Sequence, residues 1–388
     1  MRAASLGFLL ALAPAVSLVA APAGERVVAV GDVHGAYEPF VQILKSAGIV
    51  DKDLAWTGGP AILVQTGDVM DRGPRSREVL DLLMDLSEKA PRQGGDVRAL
   101  LGNHETMVMM GDLRYVSKEE YASFASPESE QLRQKEWENY LRYRKQRTRS
   151  GKQALPDEQE KNAWLEAHPP GFVEFRQAFS PQGKYGRWLR KRDAVTQIGD
   201  AIFLHGGLSP ELRLKNVREI NERVRQEIGQ MDEIWTKLSA KGVLWPYQTL
   251  EEAQSEAKAE WQVQQSGGGS DPALSTILQS FLSLRDWNII SAEGPLWYRG
   301  WAQNPEEEFG SHLERVLKRF KARYLVLGHT IHGSKRITPR FNGRIFLIDT
   351  GMLASHFQGR PSALEISGGN FKGLYVDEPA QVLSANGQ

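Results

Sequence analysis

Five short aliphatic runs in this chain each break off at a residue, or beside one, that can hold a metal ion. Val27-Val28-Ala29-Val30 runs into Gly31-Asp32-Val33-His34-Gly35, and Ile62-Leu63-Val64 into Gly67-Asp68-Val69-Met70-Asp71-Arg72-Gly73. Ala99-Leu100-Leu101 runs into Gly102-Asn103-His104-Glu105, Ala201-Ile202-Phe203-Leu204 into His205-Gly206-Gly207, and Tyr324-Leu325-Val326-Leu327 into Gly328-His329-Thr330. A β-branched and aliphatic run that stops at glycine reads as a strand buried on both faces, followed by its exit turn. Strands of that kind belong to sheets covered by helices, where ligand-binding groups gather at the carboxyl ends. The pattern therefore requires an α/β fold and predicts that Asp, His and Asn side chains from remote segments meet in one crevice.

Taken singly, these motifs say little. Asp-x-His is common in solvated turns, and a lone histidine at a strand end is more often structural than a ligand. Gly67 to Gly73 is richer: one carboxylate (Asp68) can bridge two cations, a second (Asp71) can orient a histidine, and Arg72 can grip two phosphate oxygens in a fork. Together, Asp32, His34, Asp68, Asn103, His205 and His329 supply enough nitrogen and oxygen ligands for two divalent metals.

Charge narrows the partners. Lys+Arg and Asp+Glu are each 48, so no global field attracts nucleic acid or anionic lipid, and specificity must come from a local site. The chain has no Cys, which excludes disulfides, thiolate ligands and a cysteine nucleophile. Arg2 precedes an apolar stretch, residues 6–21, that is too short to span a bilayer, and Ala21-Pro22-Ala23 fits a small-x-small cleavage site. Residues 1–23 are thus expected to be a cleaved signal peptide, which places residues 24–388 in a periplasmic or secreted compartment without stable membrane insertion.

The metal-binding motifs flank a charge-dense segment at about residues 115–193, expected to be a helical insert after the third strand of one catalytic domain. Within it, residues 128–149 and 157–166 read as helices. Trp137, Tyr140, Leu141 and Arg144, at spacings of three and four, are expected to lay one face on the core. A second, mainly helical segment spans residues 216–259, and Ser266-Gly267-Gly268-Gly269-Ser270 reads as a linker.

The ordered set Asp-x-His-Gly, Gly-Asp-x-x-Asp-Arg-Gly, Gly-Asn-His-Glu, His-Gly-Gly and Gly-His-Thr resembles the calcineurin-like metallophosphoesterases. Asp-Arg-Gly and His-Gly-Gly point to their phosphoprotein phosphatase branch. Gly111-Asp112-Leu113-Arg114-Tyr115-Val116, Tyr185-Gly186-Arg187-Trp188-Leu189-Arg190, Gly294-Pro295-Leu296-Trp297-Tyr298-Arg299 and Ile348-Asp349-Thr350-Gly351 are similar to the bacterial Shewanella-like protein phosphatases. The resemblance implies a four-layer sandwich of two mixed β-sheets flanked by α-helices, and two divalent metal ions (manganese, iron or zinc). One would be held by Asp32, His34 and a bridging Asp68, the other by Asp68, Asn103, His205 and His329. It also implies that Arg72 and Arg299 clamp the phosphoryl group and that His104, oriented by Asp71, protonates the leaving group. The activity implied is hydrolysis of phosphoprotein or phosphopeptide, at phosphotyrosine or phosphoserine/threonine, by direct attack of a metal-bridging hydroxide. A dinucleoside polyphosphate or other small-molecule hydrolase and an inactive binding module are the alternatives. His332 lies one residue beyond the second-ligand spacing of Gly-His-x-His and is left out of the ligand set.

Overall fold

The computed structural model of the chain describes residues 26–147, 157–266 and 271–383. The expected signal peptide and most of the glycine-rich linker lie outside them. Among the described residues no helix is long and apolar enough to cross a membrane.

The five runs are strands, and they divide between two sheets. The first sheet holds β1 (Val27–Val30), β2 (Ile62–Gln65) and β3 (Asp96–Ala99), mutually parallel. The second contains β4 (Val195–Ile198), β5 (Ala201–Leu204), β6 (Tyr324–Leu327), β7 (Thr338–Arg340) and β8 (Ile345–Leu347), with β5, β6 and β8 parallel and β4 and β7 antiparallel at the edges. The chain then returns to the first sheet as β9 (Ser362–Ser367), β10 (Asn370–Tyr375) and β11 (Gln381–Leu383), giving the order β11-β10-β9-β1-β2-β3 with β9 antiparallel to β1. Both sheets are mixed.

Side-chain alternation along each strand builds the layers. Val27, Ala29, Ile62 and Val64 of the first sheet meet Phe203, Val326 and Phe346 of the second in one buried cluster. Their neighbours Val28, Val30, Leu63, Ile202, Leu204, Leu325 and Leu327 face the other way, into the core shared with the helices. Phe346 of β8 stacks on Phe371 of β10 with centroids 4.4 Å apart, an inter-sheet ring pair worth about 0.5–1.5 kcal/mol beyond its buried area. The expected four-layer sandwich is the observed fold.

Between β3 and β4 the chain forms the helices Asn103–Met109, Lys118–Phe124, Ser129–Arg147, Glu158–Ala167, Phe172–Phe179 and Lys184–Leu189. The aromatic stripe of Ser129–Arg147 packs differently from expectation. Trp137 and Tyr143 are buried in a separate cluster with Trp164 and Trp245, so their partners are the insert itself and the second helical segment, not the main core. Tyr143 donates its hydroxyl to the Val243 carbonyl at 2.9 Å, and Arg147 pairs with Glu260 at 2.7 Å in the helix Leu250–Gln265. The two charged helical segments thereby brace each other.

Candidate metal centre

All five exit turns open at the same edge of the sandwich, because β1, β2 and β3 run parallel in one sheet and β5 and β6 in the other. The turns are stitched together by backbone. Val33 and His34 both donate N–H to the Asp68 carbonyl, at 2.9 and 3.0 Å, and Gly35 donates to Val69. Glycine is required where the turns touch: a Cβ on Gly102 would stand 2.2 Å from Asp68 Oδ1, and one on Gly328 2.6 Å from Asp32 Oδ1. His34, Asp68, Asp71, Arg72 and His329 all carry left-handed backbone, with φ of 48, 56, 68, 68 and 66°. Each such non-glycine residue costs about 1 kcal/mol or more. Their concentration here marks a place where packing overrides local preference.

The side chains converge. Asp68 Oδ2 lies 3.2 Å from His205 Nε2, 3.7 Å from His34 Nε2 and 3.7 Å from His104 Nε2. Asp32 Oδ2 is 3.9 Å from His34 Nε2, while Asp32 Oδ1 accepts the His329 amide at 2.9 Å. Ligand-capable atoms of His34, Asp68 and His104 lie within 4.8 Å of one another, as do those of Asp68, His205 and His329. Asp32, His34, Asp68, Asn103, His104, His205 and His329 are all buried.

The hydrogen bonds say which atoms face inward. His205 Nδ1 lies 3.1 Å from the Thr66 carbonyl and His34 Nδ1 lies 2.9 Å from the Met70 carbonyl. A carbonyl can only accept, so both rings donate there and their Nε2 lone pairs turn to the crevice. His205 Nε2 then confronts Asn103 Oδ1 at 2.8 Å and His329 Nδ1 at 3.0 Å. The Asn103 amide nitrogen is directed at Met107 Sδ, 3.6 Å away, which leaves the oxygen for the crevice. Acceptors aimed at acceptors, with the His329 Nε2 buried and unpartnered beside them, form a donor set that fits divalent cations. His332 is exposed and bonded to Ser334, outside both clusters.

Charge is balanced tightly. Burial would raise the Asp68 carboxyl, but His205, His104 and His34 around it hold it well below the usual carboxylate range. Burial, then Asp349 and Asp68, lift Asp32 well above that range. Burial depresses the proton affinity of His34 and His104, and lowers His329 to about 2 with His205 and Arg299 adding to the effect. His104 Nδ1 is 2.6 Å from Asp71 Oδ2, the pairing expected from sequence. Both arginines reach the crevice. Arg72 donates to His34 Nε2 at 2.5 Å between the rings of Tyr115 and Phe357, and Arg299 donates to the His329 carbonyl at 2.6 Å and to Thr330 Oγ1 at 3.0 Å.

Three groups add to the residues read from sequence. Asp349 follows β8 and is hydrogen-bonded to Asp32, with burial raising its carboxyl to about 6. It ends a sixth aliphatic run, Ile345-Phe346-Leu347-Ile348, the same signal as the other five. Glu105 accepts the amides of Asp68, Val69 and Gly102 at 2.8, 2.9 and 2.7 Å, tying the β2 exit to the β3 exit. Tyr115, Trp297 and Phe357 wall the crevice, whose volume is about 270 Å3.

Comparison with known proteins bears on the family and the fold. The calcineurin-like phosphoesterase family model matches residues 25–333. An uncharacterized protein of Schizosaccharomyces pombe is 31% identical over 348 residues, covering 88% of this chain and 77% of the relative. Shewanella-like protein phosphatase 2 of Arabidopsis thaliana is 35% identical over 216 residues, 52% of this chain and 51% of that protein, so about half of each is aligned. Among solved structures, the cold-active protein-tyrosine phosphatase of a psychrophilic Shewanella sp. superposes with a TM-score of 0.58 at 22% identity, covering 93% of this chain and 80% of that one. That likeness bears on the fold alone.

Proposed function

Because the chain belongs to the calcineurin-like phosphoesterase family and is a metal-dependent phosphatase, we propose that it hydrolyses phosphomonoesters on protein or peptide at a two-metal centre. Asp32, His34 and Asp68 would hold one divalent cation, and Asp68, Asn103, His205 and His329 the other. Such a pair supplies positive charge for the phosphoryl oxygens and lowers the pKa of water toward neutrality. The observation that carries this reading is the position of Asp68, which belongs to both ligand clusters.

The remaining groups take their roles from geometry and charge. Arg72 and Arg299 both line the crevice and can fork onto phosphoryl oxygens, stabilising charge that builds up in the transition state. Asp71 fixes one nitrogen of His104, and the other faces the crevice, where it can protonate a departing oxygen. The crevice's collar of Tyr115, Trp297 and Phe357 suits a flat phenolic group, so phosphotyrosyl peptide is the favoured substrate. A periplasmic or secreted address follows from the expected leader. The test combines metal analysis with kinetics on matched phosphotyrosyl and phosphothreonyl peptides, with Asp68→Asn as control. Two ions per chain and a higher kcat/KM on the phosphotyrosyl peptide are expected. Full turnover by metal-free enzyme would sink the proposal, and a preference for phosphothreonine would remove the collar from specificity.

A further inference from the structure

The insert delivers one acidic side chain to the back of the site. Glu120 stands in the first turn of Lys118–Phe124, where its backbone N–H is capped by Ser117 Oγ at 3.0 Å. Its neighbour Glu119 is exposed, but Glu120 is completely buried. Glu120 Oε1 accepts the backbone N–H of Asp71 at 3.4 Å, and Glu120 Oε2 has no partner. Asp71 is equally buried; its Oδ2 faces His104 Nδ1 at 2.6 Å, and its Oδ1 also lacks a partner. Among the described residues no Lys or Arg forms an ion pair with Glu120, and the carboxyls of Asp71 and Glu105 both act against its anion. Two adjoining carboxyls in such a place do not both ionise. Asp71 has a histidine and the Arg72 charge to favour its anion; Glu120 has only the neutral Asp71 amide and Ser76 hydroxyl, so the proton belongs to Glu120. A protonated Glu120 has one O–H to give, and Asp71 Oδ1 is an acceptor still without a donor.

We infer that Glu120 is a positioning residue for the proton donor: a neutral carboxylic acid, contributed by the insert, that binds the far side of Asp71 and keeps its charge aimed at His104. The inference rests on His104 being the proton donor. It gives the insert a part in the reaction beyond walling the crevice.

The test uses the metal-loaded full chain and two aryl phosphates, phenyl phosphate with a poor leaving group and p-nitrophenyl phosphate with a good one. Glu120→Met keeps the side-chain length without hydrogen bonding. It should lower kcat on phenyl phosphate about tenfold or more, change p-nitrophenyl phosphate by less than about threefold, and leave KM unaltered. Glu120→Gln, which still offers an N–H donor, should recover most of the loss. In parallel, the downfield proton resonance of the His104 Nδ1–H on Asp71 should move in Glu120→Met and stay in Glu120→Gln. Equal losses on both substrates, or a Gln variant as impaired as Met, would overturn the inference; if Met does not fold, the Gln kinetics and resonance decide it alone. His104→Asn separates the two readings. Selective loss in His104→Asn without it in Glu120→Met defeats this inference only. No selective loss in His104→Asn defeats the proton-donor reading and this inference with it.

Discussion

Asp68→Asn tests the centre most directly. Asp68 Oδ2 sits 3.2 to 3.7 Å from three imidazole nitrogens, and among the described residues Asp68 is the only side chain found in both ligand clusters. The substitution preserves shape but exchanges a buried anion for a neutral amide, so both cations should be lost together. At a free ion concentration about 100 times Kd, each bound ion stabilises the fold by about 2.7 kcal/mol, or about 5 kcal/mol for two. Unfolding entropy of about 2.1 cal/mol/K per residue, over 388 residues, amounts to about 0.8 kcal/mol/K. Metal addition should therefore raise the melting temperature of the wild type by about 7 °C and that of Asp68→Asn by close to none. Calorimetry of chelated and manganese-loaded samples, with elemental analysis of the same samples, measures both quantities. A variant that still retains two ions per chain and the full thermal shift would refute the shared-carboxylate argument.

Other expectations follow from the same geometry. His104→Asn should keep both ions, as elemental analysis would report, while kcat on phenyl phosphate falls by about 10²–10⁴-fold and that on p-nitrophenyl phosphate by less. Glu105→Gln turns an N–H toward one of the three amides its carboxylate accepts; urea unfolding should register a loss of about 2–3 kcal/mol. Asp349 titrates near 6 in the folded chain against 3.8 as a free side chain. Its contribution to the stability of the metal-free protein is therefore fully present below pH 3.8 and lost as pH rises through about 6. Asp349→Asn should gain stability relative to metal-free wild type between pH 4 and 7, a trend that thermal denaturation in chelator would follow.

Sequence exposed the site well because strand ends write a local signal. An aliphatic run, a glycine and a polar residue stay adjacent in the chain whatever the tertiary packing, so Asp32, Asp68, Asn103, His205 and His329 could each be located, and their recurrence as a set gave them meaning. Asp349 carried that same signal but no resemblance to a ligand motif, and its place beside Asp32 emerges only when β8 pairs with β6. Glu120 and the Trp137 stripe were opaque for a different reason. Both lie in a stretch so rich in charge that a solvated helix is the natural reading, and their burial depends on partners far away in sequence, Asp71 for one and Trp245 for the other. His168, directly after the helix Glu158–Ala167, is buried and stacked on Trp164 with centroids 4.1 Å apart, another contact that depends on how the insert folds.

The seam between the sheets gives the centre a mechanical meaning. Asp32, His34, Asp68 and Asn103 leave one sheet, while His205 and His329 leave the other. A cation gripped by Asp68, His205 and His329 would thus rivet the two halves of the sandwich, a cross-link that a chain with no Cys cannot make with a disulfide. Scavenging the ions should then do more than silence turnover. It should let the halves breathe apart, and amide exchange along β1 and β5 would quicken together.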